Sequence, residues 1–241
     1  MRSANPTLNA NTFRGIERTA GDRPMTLDDV VNRAVFLLIL VLSGAIGTWQ
    51  LLPDPGTIFP VATLGAFVLG IITVFAKRAA FVTAPLYSVL EGVSLGALSY
   101  LTERAYPGIA AEALGLTLCI FLALLMAYRT RLVQPSENFK LGVTAATAGL
   151  CLFYLAGFIG SFFGWQLPLI HETGLLGIGF SLFVVVLASM NLVLDFDFIE
   201  EGVRNRVPRY MAWYSAFGLV VTLVWLYVEI LNLLVKLRSR D

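Results

Sequence analysis

Four carboxylic acids, Glu91, Asp195, Asp197 and Glu229, fall inside stretches that otherwise read as membrane-spanning helix. An ionised carboxylate at the centre of such a helix costs roughly 2.5–3.5 kcal/mol on insertion scales, so it needs a partner or water, and acids of this kind commonly mark an ion or proton path. Glu229 belongs to a stripe formed by Thr222, Trp225, Glu229, Asn232 and Lys236. That spacing turns one face of an apolar helix toward protein or water rather than lipid. Asp195 has Asn191 one turn before it, which makes a second inward polar face. Asp197 is turned about 200° from Asp195 on the helix; with Glu200 and Glu201 it is expected to form an acidic collar at the cytoplasmic mouth. Asp195 and Glu229 are therefore the first candidates for an ion path, with Glu91, Asp197, Asn191 and Asn232 as secondary ones.

Two carboxyl groups in a low-dielectric space cannot both ionise cheaply, and such a pair titrates as a coupled unit. A shared proton would hold two helices together at low pH. Deprotonation would push them apart and leave oxygen ligands lining a gap. Calcium prefers six to eight oxygens, so Asp195 and Glu229 with water would hold it only weakly and transiently, which suits passage better than storage. A plainer role stands beside this one. A buried acid can simply pair with Arg78, Lys77 or Lys236, or hydrogen-bond between helices. Glu91, one turn from Ser88 and beside Gly92, can equally bond across a tight helix contact.

The remaining chemistry is sparse. Gly92 and Gly96, like Gly160 and Gly164, have the spacing that lets helices approach closely. His171 is the only histidine; a single imidazole makes no zinc site, and exposure in an outer loop is expected. Cys119 and Cys151, the only cysteines, are expected to be buried as small apolar residues. Phosphate-loop and HExxH elements are missing from the sequence, and the serines and threonines scattered through the spans have no histidine base to activate them, so neither an enzyme nor a bound cofactor is expected. A formal charge of +1, without a dense basic stretch, argues against nucleic acid as a partner.

The elements that must position the acids follow from composition. The chain is 57% apolar and only 14% charged, with a mean hydropathy of +0.78; soluble domains carry about a quarter charged residues. Apolar runs near the ~20 residues needed to cross a hydrocarbon core of about 30 Å recur along it. The expected class is an all-α polytopic membrane protein whose partner is the lipid bilayer. Residues 1–25 read as a mobile cytoplasmic arm and residues 26–241 as one transmembrane domain. The first 29 residues contain no apolar core of a signal peptide, so the first span is expected to enter the membrane itself. Thr26, Asp28 and Asp29 supply capping groups for that span, which ends near Leu52 before Pro53-Asp54-Pro55-Gly56. Further spans are expected at 58–76, 81–101, 113–128, 141–163, from near 173 through LVLDFDFIEEG, and within 208–237.

Basic residues orient the chain. With a cytoplasmic N-terminus, the inner side receives Arg2, Arg14, Arg18, Arg23, Arg33, Lys77, Arg78, Arg129, Arg131, Lys140, Arg204, Arg206 and Arg209, and the outer loops only Arg104. That asymmetry follows the positive-inside rule. Lys236, Arg238 and Arg240 dissent, because seven crossings place them outside. The last segment is also long: a helix from Tyr210 to Lys236 would rise about 40 Å. The sequence therefore leaves two arrangements for YMAWYSAF, an interfacial stretch before the crossing or part of the helix. Asp195 and Glu229 could then meet only if a helix tilts, shortens or breaks.

The segment ASMNLVLDFDFIEEG followed by YMAWYSAFGLVVTLVWLYVEILNLL closely resembles the bacterial branch of the Bax inhibitor-1 family, the transmembrane Bax inhibitor motif proteins. SANPTLNANTF and LEGVSLGALSY look like the same branch, so the resemblance covers nearly the whole chain and is most specific in its C-terminal third. It implies seven transmembrane helices, six of them surrounding a central seventh, in a bacterial inner membrane. It also implies a pH-sensitive calcium leak regulated by an intramembrane acid pair. The family's acid in span six falls on Asp195. Its partner falls on Glu229, where the better-studied pattern has Asp; a basic latch maps to Arg78, or to Lys77. Two other functions stay open. One is a regulator that uses the N-terminal arm to bind a membrane protease or another membrane complex, as some bacterial relatives resemble. The other is a proton-coupled transporter.

Overall fold

The computed structural model describes residues 23–163 and 174–240. Seven α-helices lie within them: α1 (Leu27–Leu51), α2 (Phe59–Phe75), α3 (Ala80–Ala105), α4 (Ile109–Arg129), α5 (Glu137–Phe162), α6 (Leu175–Arg204) and α7 (Met211–Arg238). No strand is present among the described residues. Most of the expected arm, the turn at 164–168, His171 and Gly164 lie outside the described residues. Six helices are long and apolar enough to cross a membrane, whereas α2 has 17 residues. It rises about 26 Å, and short 3-10 turns at Pro55–Thr57 and Lys77–Ala79 extend it at both ends. Large apolar side chains such as Val61, Leu64, Phe67, Phe158, Leu182 and Phe183 stand exposed on the helices, as a lipid solvent allows.

The described helices form two compact groups. The first holds residues 23–110 with 198–221. Thr26 caps α1 by accepting from the Asp29 N–H at 3.2 Å. The Asp29 carboxylate in turn receives Arg33 at 3.0 Å and Arg209 at 2.9 Å. Two backbone bonds, Met25 N–H to Val207 C=O at 2.7 Å and Arg209 N–H to Arg23 C=O at 2.9 Å, tie the entry of α1 to the α6–α7 connection. Helices α1 and α3 touch backbone to backbone. A Cβ on Gly96 would meet the Ala45 carbonyl at 2.6 Å, one on Gly44 the Val89 carbonyl at 2.7 Å, and one on Gly92 would collide with the Val41 carbonyl. The small-residue spacing read in the sequence is thus a close helix contact, and Gly44 supplies its other side.

Residues 211–217 resolve the placement of YMAWYSAF. They belong to an unbroken α7, and Met211, Tyr214, Ser215 and Phe217 are all buried, so an interfacial position is replaced by a packed one. Two rings of this stretch pack within the first group: Phe217 meets Tyr87 with centroids 5.0 Å apart, and Trp213 meets Phe36 at 6.0 Å.

The α3–α4 turn is held by a single acid. Glu103 accepts from the Gly108 N–H at 2.6 Å and from the Ala110 N–H at 3.1 Å, satisfying donors that a helix start otherwise leaves open. Replacing Glu103 with alanine is expected to lower stability by about 1–2 kcal/mol, read as a lower melting temperature of the purified protein, while Glu103→Gln retains part of the bonding.

The second group holds residues 111–163 and 174–197 with 222–240. Here the end of α7 lies where α4 and α6 begin: Arg238 pairs with Glu112 at 2.6 Å, and Lys236 donates to the Gly177 carbonyl at 3.3 Å. In the first group the start of α7 lies beside the α2–α3 turn, with Arg78 over the Tyr210 ring and Lys77 over the Tyr214 ring, each at 5.8 Å. These neighbours fit a chain that alternates sides whether or not α2 crosses, whereas the backbone bonds between the entry of α1 and the α6–α7 connection require an even number of crossings from α1 to α6 and so include α2.

Candidate functional site: a polar column along α5

Along helix α5, Lys140, Thr147 and Tyr154 recur at intervals of seven, beside other polar residues such as Glu137 and Thr144. Seven residues are nearly two turns, so the three side chains share one face. Each meets a polar group from α6 or α7. Lys140 Nζ lies 2.7 Å from Asp197 Oδ2. Asn191 Nδ2 donates to Thr147 Oγ1 at 2.8 Å and to the Leu187 carbonyl at 2.9 Å. The Tyr154 hydroxyl donates to Glu229 Oε1 at 3.2 Å, and Trp225 Nε1 donates to the same oxygen at 3.2 Å. Between these rungs pack Val143, Leu150, Val184, Leu187 and Leu194, a buried apolar cluster with Tyr154 and Trp225 against it. The apolar filling lowers the local dielectric, which strengthens every bond in the column and raises the cost of any polar atom left without one.

The sequence candidates fall into this frame as follows. Asp195 is fully buried, at 0% exposure, and Glu229 nearly so at 6%. Neither α6 nor α7 is broken or shortened between them. The first two rungs fix α5 and α6 as antiparallel, so Asp195 stands between the Lys140 and Thr147 levels. Glu229, at the Tyr154 level, lies about 15 Å further along the helix axes. The two acids thus occupy different depths of one column. Asn191 is buried, and its Oδ1 makes no hydrogen bond to the described residues. Asn232 is exposed and adds nothing to the buried part of its stripe.

Asp197 differs from its expected place in a solvated collar. It forms an ion pair with Lys140, whose side chain is 9% exposed, and Glu137 joins from 3.2 Å. Glu200 pairs with Arg204 at 3.3 Å. Glu91 is half-buried on α3. Ser88 is buried beneath it, and its Oγ makes no hydrogen bond to the described residues, so the tight contact beside Glu91 is made by Gly92 rather than by a Ser88 bond. The expected burial of the cysteines is also corrected: Cys119 and Cys151 are both exposed free thiols. In a bilayer the outside of a helix is as apolar as its core, so hydropathy cannot assign a small residue to either.

Sequence reasoning missed Lys140, Thr147 and Tyr154 as site residues. Their common spacing by seven along one helix is the available signal.

Helices this long and apolar, exposing aliphatic side chains outward and enclosing a polar column, define a multi-pass integral membrane protein. The chain belongs to the family described as Bax inhibitor 1 like, which matches it over residues 5–239. A comparison with curated proteins gave no match.

Proposed function

We propose that the protein is a pH-sensitive leak for cations, calcium among them, in a bacterial inner membrane, with its N-terminus in the cytoplasm. Asp195 and Glu229 are the proton-sensing acids, acting as successive stations of the column along α5. The observation that carries this reading is the near-complete burial of both carboxyls in one group of helices, within a line of polar groups from Lys140 to Glu229. Intramembrane acids facing a protein interior are the usual mark of ion and proton paths. Family membership agrees with a membrane channel or regulator. Each station offers too few oxygens to retain calcium, which favours release. Arg78, with Lys77 beside it, is the proposed latch. The cations rest on Tyr210, just before α7, and on Tyr214 in its first turn, and α7 is the helix that also carries Glu229, so movement of that helix would be felt at the basic turn.

At different depths the two acids cannot share a proton, which corrects the expected coupled pair; each station instead closes when its own acid is protonated and supplies oxygen ligands when it is ionised, so calcium flux in proteoliposomes should rise with pH. Asp195→Asn keeps the size and hydrogen-bonding capacity of the side chain but cannot ionise. It is expected to lower flux at least tenfold at the permissive pH and to flatten its pH dependence. Flux that stays at the wild-type level at every pH would remove the leak. Loss of capture of a membrane protease complex on deleting residues 1–24, with flux absent in the intact protein, would favour a regulator instead.

A further inference from the structure

We propose that Lys140 is a tethered cation that plugs one end of the polar column, competing with permeant cations for Asp197; this rests on the leak reading above. Lys140 sits at the start of α5, one turn from the Ser136 N-cap. Its ammonium lies 2.7 Å from Asp197 and 3.2 Å from Glu137. Exposure is graded across the cluster. The side chain of Glu137 is 72% exposed, that of Asp197 26% and that of Lys140 9%. Of the three groups the positive charge is the most enclosed. Beyond it come Asp195, fully buried on α6, and Asn191, whose Oδ1 has no donor among the described residues.

A cation entering from the acid-rich end would meet attractive carboxylates and then a fixed charge of its own sign. Pairing a buried charge with a partly buried one adds little net stability, because desolvation offsets the attraction, and a well-packed apolar pair often serves a fold as well. An ion pair at this point suits control of charge better than strength. The lysine stem is long and flexible, so the ammonium can swing toward the exposed Glu137 and clear the way without backbone movement. The plug is distinct from the basic residues at the α2–α3 turn, which lie against aromatic rings rather than acids.

The test compares calcium and potassium flux in proteoliposomes made from the full chain. Lys140→Gln and Lys140→Met are expected to raise flux at least threefold, and Lys140→Arg to leave it within twofold. The double variant K140Q/D197N, which lacks the acid site as well as the plug, is expected to lose the increase. In a background with Cys119 and Cys151 replaced by serine, Lys140→Cys should be as leaky as Lys140→Gln. Treatment with an aminoethyl methanethiosulfonate, which rebuilds an ammonium on the thiol, should return it to the low level. A leaky wild type with unchanged Lys140→Gln, Lys140→Met and Lys140→Cys overturns the plug and leaves the leak standing. Folded protein that is silent in the wild type, in Asp195→Asn and in every Lys140 variant overturns the leak itself. Failure of all the neutral variants to fold would overturn the plug by making the ion pair structural.

Discussion

Glu229→Gln is expected to yield a protein that folds but whose calcium flux has a flattened pH dependence, and Glu229→Leu one that barely folds. The difference follows from the two bonds at Glu229 Oε1, one from the Tyr154 hydroxyl and one from Trp225 Nε1. A glutamine oxygen can accept both, so the neighbours keep their partner while the ionisable group disappears. Leucine accepts neither, and a buried donor left without a partner costs about 1–3 kcal/mol. With two donors affected, a large drop in melting temperature is expected for the leucine variant and a small one for glutamine. Tyr154→Phe provides an internal control, because it removes one donor along with its need for an acceptor and should be milder than Glu229→Leu. A leucine variant that melts like the wild type would show that these bonds do not hold the column together.

The second large effect lies at the α1–α3 contact. Gly92→Leu is expected to destabilise the protein by about 3 kcal/mol or more, enough to abolish folded material in detergent. The first added carbon would collide with the Val41 carbonyl, and a carbonyl fixed in a helix cannot swing aside as a side-chain tip can. Gly96 meets Ala45 in the same way at 2.6 Å, so Gly96→Leu should behave alike. On α5, Gly142 and Gly149 have nothing within 4 Å of an added carbon. Alanine at either is expected to change stability by about 1 kcal/mol at most. Size-exclusion chromatography after a heating series would separate the two classes. Equal tolerance at Gly92 and Gly142 would remove the close contact.

These cases also show what a sequence of this kind reveals. The helices were legible because a bilayer demands long apolar runs, and the Gly92–Gly96 contact because small residues at that spacing have few other uses. Asp195 and Glu229 stood out because charge is costly in hydrocarbon. Lys140 was visible only as one more basic residue, since its partner Asp197 lies in a different helix and pairing across helices leaves no local trace. The pairing of Asp197 with Lys140 is illegible in the sequence for the same reason. Tyr154 and Thr147 are ordinary in membrane helices when taken singly, and only their common spacing from Lys140 gives them meaning. Cys119 and Cys151 were misplaced because composition cannot tell a lipid-facing surface from a protein interior.

Helix α2 brings the surrounding lipid into the account. Its 17 residues rise some 4 Å less than an average hydrocarbon layer is thick, whereas α6 and α7 exceed that layer by 10 Å or more. The 3-10 turns at its ends make good that difference, so a layer of ordinary thickness meets α2 without thinning, while α6 and α7 must tilt within it or project beyond it.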